Sequence, residues 1–162
     1  MLWYRKATYK DILAIGPCLR EADRSEFQAA SGLTAEAALQ RAFLTGDCVW
    51  CVLMDTTPIA VFGLNVYGLG TDGVFDIAIP WACGTDLIER DPIGFLKGSR
   101  EVFEAVTRKC PNLHNWVDSR NITHIEWIEW MGFTVDRDFP EIVNGIPFYF
   151  FEYKPCAYQQ PH

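Results

Sequence analysis

The chain has 162 residues, 49% of them hydrophobic and 14% aromatic, enough for one domain that buries a core without disulfides or metal. Its formal net charge of −7 excludes the clustered Lys/Arg surface that nucleic-acid binding needs. No run reaches the roughly 20 apolar residues of a membrane span, and the opening MLWYRKATYKD lacks the apolar stretch of a secretory signal, so a soluble, intracellular protein is expected.

LWYRKA at 2–7 reads as a first strand. Thr8 and Asp11 then form the S/T-x-x-D signature of a helix start. Ile12, Ile15, Leu19 and Ala22 give that helix one apolar face, with a kink at Gly16-Pro17. A second helix runs from Thr34 to near Gly46, with Leu39, Ala42 and Phe43 inward. CVWCVLM and PIAVFGLNVYG read as a hairpin about a turn at Asp55–Thr57. After a turn at Gly70–Gly73, VFDIAIPW (74–81) is a further strand, followed by a loop, CGTDLIER.

Asp91-Pro92 opens the next helix, with Pro at the favoured first helical position. Leu96, Ser99, Phe103 and Val106 carry it to about Lys109, and Pro111 forbids more. NLHNWVDS is another strand. Asn121 sits where a short helix should be capped, with Ile122, Ile125 and Ile128 on one side and Gly132 as its left-handed stop. FTVDRDF and PFYFFEY form the last two strands around Asn144-Gly145. This order predicts an α/β (α+β) domain over residues 1–155, a mixed sheet flanked by about four helices, with a tail at 156–162.

Among six cysteines, Cys48 and Cys51 form a CxxC inside a strand, where alternation puts the two sulfurs on opposite faces. No second pair exists at zinc spacing, so buried free thiols and no metal site are expected.

The element order and residues 121–133, NITHIEWIEWMGF, resemble the GNAT acetyltransferase superfamily. In that family an Asn after the fifth strand is followed twelve residues later by the Phe of a Gly-Phe pair. Asn121, Gly132 and Phe133 match it. Arg5, Ala7, Asp11 and Ile12 resemble the family's opening. The likeness implies a mostly antiparallel seven-stranded sheet with the fourth and fifth strands adjacent and parallel. It also implies acetyl-CoA held by the backbone of Phe75, Asp76, Ile77, Ala78 and Ile79, beside Asn121, with the pyrophosphate on a glycine-rich loop. Here that loop reads PWACGTDLIERDPIGF, with no glycine triplet and with Asp86, Glu89 and Asp91 crowding the helix start. The family's frequent general acid, a Tyr seven residues after the Asn, is replaced by Ile128.

PWACGTDLIERDPIGFLKGSREVFEAV and NWVDSRNITHIEWIEWMGF are similar to small GNAT-like proteins of short-tailed phages, described as internal virion or virion-assembly proteins. The expectation is therefore a catalytically silent scaffold that needs no cofactor. It would act through contacts with a phage or host protein during assembly or ejection, in the host cytoplasm or on the virion. The alternative is a divergent N-acetyltransferase that uses acetyl-CoA on an amine of a small molecule or protein. A small-molecule module using the cleft between the fourth and fifth strands is a third reading.

His114 and Asp118 alternate with Trp116 on one strand and are the candidate acid/base pair, although plain surface polarity explains them more simply. His124 is expected to be exposed. Glu21, Asp23 and Glu26 could hold an amine, but a solvated helix face is the simpler reading. Trp81, Trp127 and Trp130 form a candidate interface cluster against a background expectation of core packing.

Overall fold

The computed structural model describes residues 1–69 and 75–154. The Gly70–Gly73 turn, Cys156 and the 156–162 tail lie outside them. Seven strands make one sheet: β1 (Leu2–Lys6), β2 (Cys48–Met54), β3 (Thr57–Leu69), β4 (Phe75–Gly84), β5 (Leu113–Asp118), β6 (Thr134–Val143) and β7 (Ile146–Tyr153). Their spatial order is β1-β2-β3-β4-β5-β7-β6. Every pairing is antiparallel except β4 with β5, which are parallel at Ala78 and Leu113. The mixed, mostly antiparallel seven-stranded sheet expected from the sequence is the one found. Among the described residues no helix is long and apolar enough to cross a membrane.

Five α-helices flank the sheet: α1 (Tyr9–Ile15), α2 (Glu21–Ser31), α3 (Ala35–Thr45), α4 (Pro92–Thr107) and α5 (Ile122–Trp130). The single kinked helix expected after β1 is in fact two. Thr8 and Asp11 do form the reciprocal capping box of α1. Gly16–Cys18 then tightens into a 3₁₀ turn, and Leu19 becomes extended and bridges Thr85. With no N–H on Pro17 to continue the ladder, the chain restarts as α2, whose Ala22 is exposed rather than in the core. β4 runs three residues past its expected end, and the expected loop after it contains a 3₁₀ turn, Asp86–Arg90.

The alternation of β2 and β3 splits the core into two layers. Under α1 and α3, Ile12, Ile15 and Leu39 pack on Cys51, Leu53 and Val61. On the other face α4 and α5 cover Leu64, Ala78, Leu113 and Val117, with Ile125 and Ile128 fully inside. Ile122, expected beside them, is 57% exposed, since the helix starts there and turns that side outward. Gly132 has φ +101° and stops α5 as expected. Asn144 and Gly145, at φ +50° and +80°, close the β6–β7 hairpin.

Cys51, Cys83 and Cys110 are buried free thiols, as expected, whereas Cys18 and Cys48 are exposed. Burial pushes the Cys51 thiol up to about 12. Cys83 is also raised, first by burial and then by the charge of Asp23.

Candidate functional site

Beyond Ala78 the parallel ladder between β4 and β5 stops. The Ala78 N–H donates to the Asn112 carbonyl at 3.0 Å. Two residues on, Pro80 has no N–H, and its carbonyl accepts from the Asn115 side-chain amide at 2.8 Å. The strands part there, leaving a cleft of about 520 Å³ that passes between them. Trp81 reaches it from the α1–α3 face, whose core it packs against, and Trp127 from the α4–α5 face.

Helix α2 lies across this gap and brings its acidic side chains into it. Asp23 and Glu26 are three residues apart, hence on one face of the helix. Arg20 grips Asp23 through Nε and Nη2, at 3.0 and 2.9 Å. The Gly84 N–H donates to the same carboxylate at 2.9 Å. From the far side, Asn121 Nδ2 donates to Asp23 Oδ1 at 3.0 Å and to Glu26 Oε2 at 2.8 Å. Asn121 stands at the N-cap position of α5, but its side chain does not cap the helix. The two carboxylates claim the amide, and its Oδ1 is buried with no partner.

His124, expected on the surface, has a side chain only 12% exposed, with Nδ1 3.6 Å from Glu26 Oε2. That gap is too long for a direct hydrogen bond but well within charge attraction. Burial opposes its protonation. Glu26 and Asp23 outweigh both burial and the opposing Arg20, and the net result is a pKa above the usual histidine value. The solvated acidic face expected for α2 thus holds only for Glu21, which is exposed.

His114 and Asp118 share a strand but not a site. Four residues along a strand span ~13 Å. Asp118 is bound by Arg120, with Arg120 Nη2 to Oδ2 at 2.6 Å, and His114 packs on Phe150 beside a separate recess. Phe75, Asp76, Ile77, Ala78 and Ile79 lie in the half of β4 before the strands part. The cleft is lined instead by Pro80, Trp81 and Ala82. The three expected tryptophans do not cluster either: Trp130 is exposed, under Arg100 at 4.4 Å.

The groups that would hold acetyl-CoA are largely occupied by the protein itself. Asp91 caps α4, as expected, its Oδ1 accepting the Gly94 N–H at 2.9 Å. Pro92 removes another amide from that first turn. On the open edge of β4, period-two alternation places Pro80, Ala82 and Gly84 alongside Ala78. Pro80 has no donor, and Gly84 gives its N–H to Asp23 and its carbonyl to the Arg20 N–H at 2.9 Å. Only Ala82 is left on that edge among the described residues. Ile128 lines the cleft with carbon where a proton donor would stand. The residues present do not fit the coenzyme's usual grip. Among the described residues no three His, Cys, Asp or Glu side chains gather as a metal site.

A seven-stranded sheet split at β4–β5, with α4 and α5 over the split, is the GNAT acetyltransferase fold. Solved structures agree along almost the whole chain. A GCN5-related N-acetyltransferase from Kribbella flavida matches with TM-score 0.68 at 18% identity, covering 94% of this chain and 97% of that one. The aminoglycoside acetyltransferase AAC(6')-Ib, in complex with ribostamycin and coenzyme A, matches at 0.67 and 13% identity, covering 99% and 97%. The Salmonella typhimurium protein yncA, solved with its cofactor acetyl-CoA, matches at 0.62 and 12% identity, covering 99% and 98%. At such identities the likeness is one of fold. No protein-family model matches the chain, and no curated protein does. The expected relation to phage virion proteins finds no support in these comparisons.

Proposed function

We propose that this protein uses the GNAT scaffold to bind a ligand in the β4–β5 cleft, not to transfer acetyl from coenzyme A. One observation carries the reading: the Gly94 N–H at the start of α4 is already bonded to Asp91, and on the open edge of β4 the Gly84 N–H is bonded to Asp23 and its carbonyl to the Arg20 N–H, which with Pro80 leaves only Ala82 there among the described residues. A pyrophosphate approaching α4 would have to displace a cap and meet Asp86 and Glu89 as well, each like-charge encounter costing about 1 kcal/mol. The cleft itself stays open, mostly apolar, with a few convergent polar groups, which is the usual character of a small-molecule site.

The second reading is an acetyltransferase acting on an amine of a small molecule or protein. It is favoured by the open cleft and by the coenzyme-bound structures of the same fold. Thermal unfolding with and without millimolar acetyl-CoA separates the two, because a ligand that binds only the folded state raises Tm. The binding-only reading expects no shift for the wild type and at most a small one for Asp91→Ala. A clear wild-type shift would put the transferase reading in its place.

A further inference from the structure

Among the described residues, the side chains lining the cleft include Asp23, Glu26 and Glu141, but no Lys or Arg. Asp23 is spent: Arg20, Gly84 and Asn121 use both of its oxygens. Glu26 is not. Among the described residues only its Oε2 accepts a hydrogen bond, from Asn121, and the side chain lines the cleft. The same cleft is lined by the rings of Phe27, Trp81, Trp116, Trp127 and Phe148. The indole N–H groups of Trp81 and Trp127 are buried donors without partners, which would take an acceptor on the ligand's body and not its charged head. A half-buried carboxylate among aromatic faces is a site built for positive charge.

We infer that the cleft binds an organic ammonium ion, tertiary or quaternary, with its charged head at Glu26 and its carbon shell against the tryptophans. This deepens the binding role proposed above and rests on it. A primary ammonium brings three N–H donors, and the inner wall offers one free carboxylate oxygen; Glu141 stands at the exposed rim. A methylated ammonium needs fewer acceptors, or none, and its methyl groups suit the ring faces. Such an ion also has no N–H that acetylation could replace to give a stable amide, so binding here would not be a step of acetyl transfer.

His124 makes the site sensitive to pH. The groups facing it are Glu26 and Asp23 from α2, which favour its cation, and Arg20, which opposes it. Protonated His124 is itself a cation beside Glu26 and competes with the ligand. Binding should therefore strengthen as pH rises through the His124 titration.

Calorimetric titration tests this with choline and its neutral isostere 3,3-dimethyl-1-butanol, and with benzyltrimethylammonium against benzylamine. The quaternary ions are expected to bind, each at least about ten-fold more tightly than its comparison compound. Glu26→Gln keeps an oxygen for Asn121 and so should fold, which circular dichroism checks, yet lose about ten-fold in affinity. Glu141→Gln should change it less than two-fold. No binding of either quaternary ion at millimolar concentration, equal binding of the neutral isostere, tighter binding of benzylamine, or an unchanged Glu26→Gln would each overturn the inference. Acetyl-CoA run in parallel reports separately: if it binds, the proposed function fails, whatever the ammonium ions do.

Discussion

Asn121 shows how one side chain can be placed by local sequence and yet do something that local sequence hides. Its spacing to Gly132 and Phe133 marks it on the chain, and it does open α5. Its amide, however, serves Asp23 and Glu26, residues 98 and 95 positions away. No periodicity connects them, so the site at α2 could not be read forward from the sequence. The nearest available signal was the i, i+3 spacing of Asp23 and Glu26, which a solvated helix face explains equally well. Asn121→Ala would leave two carboxylates each short of a donor, and we expect it to lower unfolding free energy by about 2 kcal/mol in urea titration. His124 adds a pH dependence. Its pKa is raised in the folded state, so its stabilising contribution is complete below the unfolded value, about 6.5, and fades as pH rises through the folded value. Wild type should therefore lose stability relative to His124→Gln as pH rises above about 6.5. Parallel stability–pH curves for the two proteins would show that His124 is not held by Glu26.

At the scale of elements, the sequence was most legible where a local rule needs no distant partner. The Thr8–Asp11 capping box, the Asp91 cap, the Pro92 start and the Gly132 stop all act within one turn, and all are present. It failed at α2 because Gly16-Pro17 fits both a kink and a break, and the choice is made by Leu19 bridging Thr85. Gly132 carries φ +101°, and a Cβ there would meet Tyr153 only at an ordinary 3.9 Å. Its replacement should thus cost backbone strain rather than a clash: Gly132→Val should lower stability by about 1–2 kcal/mol, read from the melting temperature. Gly98 is the opposite case. It lies in the middle of α4, where Gly→Ala ordinarily stabilises by up to about 1 kcal/mol. Here a Cβ would run into the Tyr4 ring, whose hydroxyl donates to the Phe95 carbonyl at 3.2 Å and locks β1 under α4. Gly98→Ala should reverse the usual sign and destabilise by about 1–3 kcal/mol, as overpacking does. A more stable variant would mean that Tyr4 moves aside freely.

In the molecule as a whole, the sheet is two halves, β1–β4 and β5–β7–β6, joined directly at a single parallel residue pair and by the Asn115 side chain on Pro80. A gap of that size is what makes the cleft, and something must hold its sides at a fixed distance. On one face the apolar layer under α4 and α5 does so, since it takes Leu64 and Ala78 from one half and Leu113 and Phe151 from the other. On the other face the tie is α2. Asp23 reaches Gly84 in the first half and Asn121 beyond the second, and the Asn144 side chain donates to the Ala29 carbonyl at 2.8 Å. The order of most elements was readable because it follows from element lengths and alternation, whereas the seven-stranded, mostly antiparallel pairing came from the family resemblance. This strap was not readable, because it depends on where two distant segments meet. Asp23→Ala removes the hub and leaves the largely buried Arg20 unpaired, with side-chain exposure of only 19%. The expected cost is about 3 kcal/mol, the usual result of deleting one partner of a buried pair. Unfolding should stay a single transition at a lower midpoint, because the α4–α5 layer still spans both halves. Amide exchange should accelerate first at Gly84, whose N–H loses its acceptor, and then along the open edge of β4. If the midpoint does not move and Gly84 stays protected, α2 merely covers the cleft and does not hold it together.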